Sequence, residues 1–384
     1  MQSVYAWHDN PAPVRSPIGA RQSASLPWLK SATFDVLLLV ASVVIVPMVL
    51  LAVWLGVSSD VINLGVTALV GGPHVFATFT ATFANKSFRS RHPLLIVSSL
   101  LIPAGVVWLT IHAFQMLMSL FIVAASLHVL HQCAYLSDCY RVKAGSAERP
   151  WARLVDYGVL FSSIYPIALY KIVSGTFYLG DVAIVIPSFL MNMGTAYVEW
   201  VVFAGFLAAW IYKTMLEHRE GSLNMPKTLL IGVTIFFAFM VPGMAGRSRL
   251  ELAFQSMNAW HSFQYLGLVW LINTMRLERG TLTNKFVARL SSRKGAKWFY
   301  AWNFGITLVL LVLVQSVVVW DPLSLKAEQY YYMLTLSPLL IHYYFDTFVF
   351  LTSVTDLVPA PADSSFEAAG TSAAIASRMA RASR

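Results

Sequence analysis

Seven ionisable residues fall inside long apolar stretches of this 384-residue sequence: His74, His128, His131, Glu199, His261, His342 and Asp346. Polar groups in hydrocarbon are costly, so each is a functional candidate by default. Imidazole suits iron, copper and zinc, whereas Mg²⁺ and Ca²⁺ want mostly oxygen donors. The spacing groups these residues further. His128, His131, Tyr135 and Asp138 follow i, i+3, i+7, i+10 and share one helix face, bordered by Gln132. Asn258, His261 and Tyr265 repeat i, i+3, i+7, with Gln264 beside them, and His342 and Asp346 stand at i, i+4. That last spacing lets a carboxylate orient an imidazole or share its metal. A single buried histidine is ordinarily bonded to a neighbouring helix. Five of them with two carboxylates point instead to a metal or cofactor site. The expected ligands are His74, His128, His131, His261 and His342. Asp346 is expected as a catalytic acid, and Glu199 as a ligand, proton carrier or satisfied structural acid. Gln132, Tyr135, Asn258, Gln264 and Tyr265 are expected around them.

The elements that must carry these residues are transmembrane helices. The chain is 57% apolar and 12% charged, about half the charge of a soluble domain. Apolar runs long enough to cross a bilayer recur at 33–56, 61–84, 94–111, 113–137, 154–174, 188–212, 228–245, 250–275, 298–320 and 330–352. The expected fold is therefore all-α, a polytopic transmembrane bundle of about ten helices. Alternate loops and the termini hold 23 of the 27 basic residues, which by the positive-inside rule puts both termini in the cytoplasm. This distribution accounts for the net charge of +9 and argues against nucleic acid. Residues 1–32 read as a cytoplasmic segment without a signal peptide, 33–352 as the membrane domain, and 353–384 as a disordered, Ala- and Ser-rich cytoplasmic tail. A multi-pass protein of the cell (inner) membrane is the expected setting. Cys133 and Cys139 are spaced neither as a redox pair nor as zinc ligands and are expected to pack.

All seven buried ionisable residues lie on the second, fourth, sixth, eighth and tenth spans. Their histidines and Glu199 lie roughly 16–26 Å from the external helix ends, the middle of a hydrocarbon core about 30 Å thick. On the second span Gly71-Gly72-Pro73-His74 interrupts an apolar run, so a kink is expected at the histidine.

Several imidazoles with a nearby carboxylate and no thiolate pair match non-haem iron, mononuclear or dinuclear, which activates O₂ when positions stay open. At that depth the reaction partner is expected to be a lipophilic small molecule, such as an isoprenoid, carotenoid or fatty chain, with membrane lipid around it. The sequence resembles the Brp/Blh-type membrane β-carotene dioxygenases in Gly72-Pro73-His74, in His131 with Asp138, in His261, and in His342 with Asp346. That resemblance implies a multi-helix protein with histidine-ligated iron. The chain departs from the family after His74, where Val75-Phe76-Ala77-Thr78 follows, and after His131, where Gln132-Cys133 follows. Two other readings use the same residues: a b-type haem protein for electron transfer, and a proton-coupled transporter with histidines and Glu199 as relay. The topology has a direct check. A reporter fused at Arg384 should be found inside and one at Ser324 outside, and the reverse for either overturns the expected arrangement.

Overall fold

The computed structural model describes residues 28–145, 148–244, 250–292 and 294–352. The first 27 residues of the expected cytoplasmic segment, and the expected disordered tail 353–384, lie outside them. The chain forms an all-α bundle. Its helices are α1 (Ala32–Trp54), α2 (Ser59–Ala81), the short α3 (Lys86–Arg91), α4 (Pro93–His112), α5 (Phe114–Ala144), α6 (Pro150–Ser162), α7 (Tyr165–Val173) and α8 (Met193–Arg219). They continue with α9 (Met225–Met244), α10 (Leu250–Glu278), the short α11 (Lys285–Leu290), α12 (Ala296–Trp320) and α13 (Ala327–Thr352). Among the described residues the only sheet is a two-residue ribbon, Tyr178–Leu179 against Val182–Ala183, in the loop after α7.

Seven of these helices are long and apolar enough to cross a membrane: α1, α2, α4, α5, α8, α9 and α12. The other three expected spans are helical but fall short for identifiable reasons. The span expected at 154–174 is broken between α6 and α7, with Pro166 following the break. The sequences of α10 and α13 are diluted by His261, Gln264 and Asn273, and by His342, Asp346 and several tyrosines. The histidines, Gln264, Asn273 and Asp346 among them are buried inside the bundle.

Outward faces are apolar. Leu94, Leu101, Val201, Val309 and Val312 are largely exposed, as expected of side chains that meet acyl tails. Trp298 and Trp320 are exposed near the two ends of α12. Their separation of 22 residues spans about 33 Å along the helix, close to the thickness of a hydrocarbon core.

Four helices form the centre. α10 packs on α1 and α2 and touches α5, while α13 packs on α2, α4, α5 and α12. α8 is peripheral, packed on α6 and α7. One close approach fixes the middle of α2: a side chain at Gly72 would collide with Thr307 of α12.

One end of the bundle is tied by charge. Asp138, Glu148, Asp156 and Glu217 interleave with Arg141, Arg153, Lys213 and Lys227, so four acids meet four bases from α5, α6, α8, α9 and the loop at Glu148. Asp156 is fully buried, 3.0 Å from Arg141, 2.8 Å from Lys213 and 3.2 Å from Lys227. Although near helix ends, where solvation would be cheap, Asp35 and Asp156 are not left to solvent. Asp35 is also fully buried and accepts from the Leu29 and Lys30 amides (2.5 and 3.1 Å) and the Tyr140 hydroxyl (3.1 Å).

Removing one partner from a buried ion cluster strands the others, at a cost of about 3–5 kcal/mol. Asp156→Ala should therefore lower the thermal midpoint in detergent sharply. Arg149→Ala, which breaks only the half-exposed pair with Glu220, should barely move it. Burial alone would raise Glu148, but Lys227 and Arg141 outweigh it and hold the carboxyl below its ordinary 4.5. Its contribution is thus present above about pH 4.5 and lost as pH falls below that value. Glu148→Gln should flatten this acid limb of a midpoint-against-pH curve.

Candidate metal centre

His74 is delivered by irregular backbone. Residues Thr67–Gly71 form a π-turn inside α2, and Pro73 cannot donate to the Leu69 carbonyl four residues back. The Tyr300 hydroxyl of α12 donates to that carbonyl instead, at 2.7 Å. The expected interruption is therefore a π-turn with its freed carbonyl bonded by a neighbouring helix.

Four imidazoles from four helices meet in the core: His74 (α2), His128 (α5), His261 (α10) and His342 (α13). Their rings form a closed circuit of edge-to-face contacts. Centroids are 5.3 Å apart for His74–His261, 4.9 Å for His261–His128, 4.8 Å for His128–His342 and 4.7 Å for His342–His74. Ligand nitrogens of His74, His261 and His342 lie within 4.8 Å of one another, and so do the ligand atoms of His128, His342 and Asp346. These two overlapping groups could each hold a metal ion.

The spacing can be compared with what an ion requires. Nitrogens about 2.0–2.1 Å from one ion put imidazole centroids about 3.2 Å from it, so neighbouring centroids stand about 4.5 Å apart in a square and about 5.2 Å apart in a tetrahedron. Three of the four observed separations fall within this range and the fourth, His74–His261 at 5.3 Å, lies just beyond it. Hydrogen bonding points the same way. Both ring nitrogens of His74 and His261, the Nε2 atoms of His128 and His342, and Asp346 Oδ2 are buried with no hydrogen-bond partner. The Val70 and Gly71 carbonyls flank the His74 ring outside hydrogen-bonding geometry. So many orphaned polar atoms at one point are rare in proteins, and a bound ion would take up one nitrogen from each ring it binds.

A directed chain supports His342. The Tyr265 hydroxyl donates to Asp346 Oδ1 at 2.6 Å, and Thr78 Oγ1 lies 2.8 Å from Tyr265 and 2.5 Å from His342 Nδ1. With Tyr265 committed to the carboxylate, Thr78 donates to Tyr265 and accepts from Nδ1–H. That order fixes the tautomer and leaves the Nε2 lone pair free to bind. Asp346 Oδ2 stands 3.4 Å from His342 Nδ1 and 3.8 Å from His128 Nε2.

Comparison with protein families, with curated proteins and with solved structures finds no match. The site therefore rests on this chain's own geometry.

The remaining expected residues divide. His131 is in neither ligand group. Phe350 of α13 packs 5.2 Å from the His131 ring, 6.0 Å from that of His128 and 4.8 Å from Tyr135, and of the two histidines only His128 belongs to the circuit. The sequence expectation that one helix turn presents both histidines to one ion is corrected accordingly. Glu199 stands on peripheral α8 beside Tyr165, with one buried carboxyl oxygen unpartnered, and is not brought to the histidines. Asp138 belongs to the ion-pair cluster. Gln132 donates to Gln264 (2.6 Å), and Gln264 donates to the Leu39 carbonyl (2.5 Å), so both amides tie helices together and reach no ligand ring. Asn258 accepts from Ser262 at 3.4 Å and lines a cavity that reaches His74.

Two residues escaped the sequence analysis. Thr78 stands four residues after His74, a spacing that marks the same face. Tyr343 stacks on His128 with centroids 4.2 Å apart, although an aromatic beside His342 reads as packing. Removing outer partners of metal-ligating groups typically costs about 10–100-fold in affinity. Tyr265→Phe and Thr78→Val should each weaken metal binding by about that factor, measured by competition with a chromogenic chelator.

Proposed function

We propose that this protein is a membrane-embedded oxygenase in which non-haem iron, mononuclear or dinuclear, is held by His74, His128, His261 and His342 with Asp346 beside them. The observation that carries this reading is the circuit of four buried imidazoles with unpartnered nitrogens. When bound, such a metal supplies the means to activate O₂. The chain's own residues then do the positioning. The Asp346–Tyr265–Thr78 chain orients His342, and Tyr343 holds the plane of His128. The substrate would be a lipophilic molecule such as an isoprenoid, carotenoid or fatty chain. A cleft lined by Leu127, His128, His131, Phe161, Leu340 and Tyr343 brings apolar surface to one edge of the circuit. His131 would meet the substrate there and would not ligate metal. The protein would reside in the cell membrane with both termini cytoplasmic, as the basic loops suggest.

The resemblance to the Brp/Blh-type dioxygenases supports the same chemistry through His74, His261, His342 and Asp346. Haem fits less well, because rings 4.7–5.3 Å apart leave no slot for a macrocycle between them. A transporter relay is weakened by the separation of Glu199 from the histidines.

Elemental analysis with a visible spectrum tests the proposal. Wild type should carry iron without an intense Soret band. His74→Ala, His128→Ala, His261→Ala and His342→Ala should lose it, while His131→Ala and Glu199→Gln keep it. A Soret band would move the reading to haem, and metal-free wild type with uptake dependent on Glu199 would move it to transport.

A further inference from the structure

A second cavity reaches the histidines from another direction, and its largely apolar wall carries a row of amides and hydroxyls. A cavity of about 100 Å³ lies against His74 between α2, α10, α12 and α13. Its wall carries Asn63, Thr67, Gln255, Asn258 and Thr335. On α2, Asn63, Thr67, Gly71 and His74 follow i, i+4, i+8, i+11, so one helix face lays polar groups and bare backbone along about 16 Å of depth. On α10, Gln255 and Asn258 continue one turn at a time toward His261. The file begins in the first turns of α2, at the end of the bundle opposite the ion-pair cluster, where loops 55–58 and 321–326 lie.

Polar faces of this kind are retained in a bilayer where they line water. Asn63 Oδ1 at one end and both His74 nitrogens at the other are buried without protein partners, so the lining offers sites that water can bridge. At about 30 Å³ per molecule, a volume of this size accommodates about three waters in file. The lateral cleft beside His128 shares only Tyr343 with this cavity, so that one ring stands between the two approaches.

We propose that this cavity is an aqueous shaft from the non-cytoplasmic face to His74, and that water and a divalent metal ion stripped of part of its hydration shell reach the histidines through it. Side-chain amides and hydroxyls are hard oxygen donors that replace part of an ion's hydration shell on the way down. The shaft itself stands on the cavity lining, while its use for loading rests on the proposed metal centre.

Cysteine accessibility in sealed vesicles separates the two halves. Both native cysteines are buried, which gives a low background. Asn63→Cys, Thr67→Cys and, from the facing wall, Thr335→Cys should react with a sulfonate-bearing, membrane-impermeant methanethiosulfonate applied to the non-cytoplasmic face. Leu69→Cys, on the exposed face of the same helix, should react only with a lipophilic maleimide. After chelator stripping, labelling at Thr67→Cys should slow Fe²⁺ or Zn²⁺ uptake at least tenfold, and labelling after loading should leave bound metal in place. Failure of the charged reagent at all three wall positions, with folded protein by gel filtration, overturns the shaft. Labelling without slower uptake overturns the loading route and leaves the shaft standing. Cysteine variants that label as expected, beside wild-type protein that binds neither ion, overturn the metal centre instead.

Discussion

Hydrocarbon gives a buried polar group nothing to bond to, so each imidazole in this bundle has to find its partner within protein, water or an ion. The arrangement of α2, α5, α10 and α13 follows from that constraint. Their lipid-facing surfaces are interchangeable bulk, since acyl tails pack against Leu and Val as well as a neighbouring helix does. What distinguishes the inner faces is polarity: four imidazoles, a carboxylate, a tyrosine and a threonine that have to be matched in position. The helices richest in these groups, α10 and α13, are accordingly the ones enclosed by others.

The same constraint operates at the end of the bundle in a different form. There the charges are paired with one another instead of converging on one point. The eight side chains around Asp156 balance four against four, so the cluster neutralises itself and joins the peripheral helices α6, α8 and α9 to α5. The molecule thus separates two kinds of buried polarity. Around Asp156 the charges are matched by protein. At the histidines the donor atoms outnumber their protein partners. That difference is what the proposed metal would make up.

Much of the fold was legible because hydropathy reports spans directly: all ten expected segments are helical, and seven carry enough apolar length to stand alone. The three that do not show why hydropathy is incomplete, because a helix surrounded by protein is free to be polar. The convergence of His74, His128, His261 and His342 was legible through their common depth. Side-chain direction was not. His128 and His131 share a face by spacing, yet only His128 enters the circuit, while His131 packs against Phe350, 219 residues further along the chain. Glu199 satisfied every sequence criterion of depth and rarity and still lies on a peripheral helix, since depth fixes one coordinate and leaves position in the membrane plane open. Thr78 and Tyr343 were unremarkable as residue types and gain meaning only from what they touch.

The spread of the four histidines along the chain has a consequence for biogenesis. Synthesis runs from the N-terminus, so His74, His128 and His261 are available well before α13 emerges. Until α13 joins the bundle, the groove between α2 and α5 lacks His342 and Asp346. The last helix therefore acts as a keystone. Completion of the centre is a late event of membrane assembly, and a chain cut short before residue 327 retains most of its apolar spans while lacking a closed site.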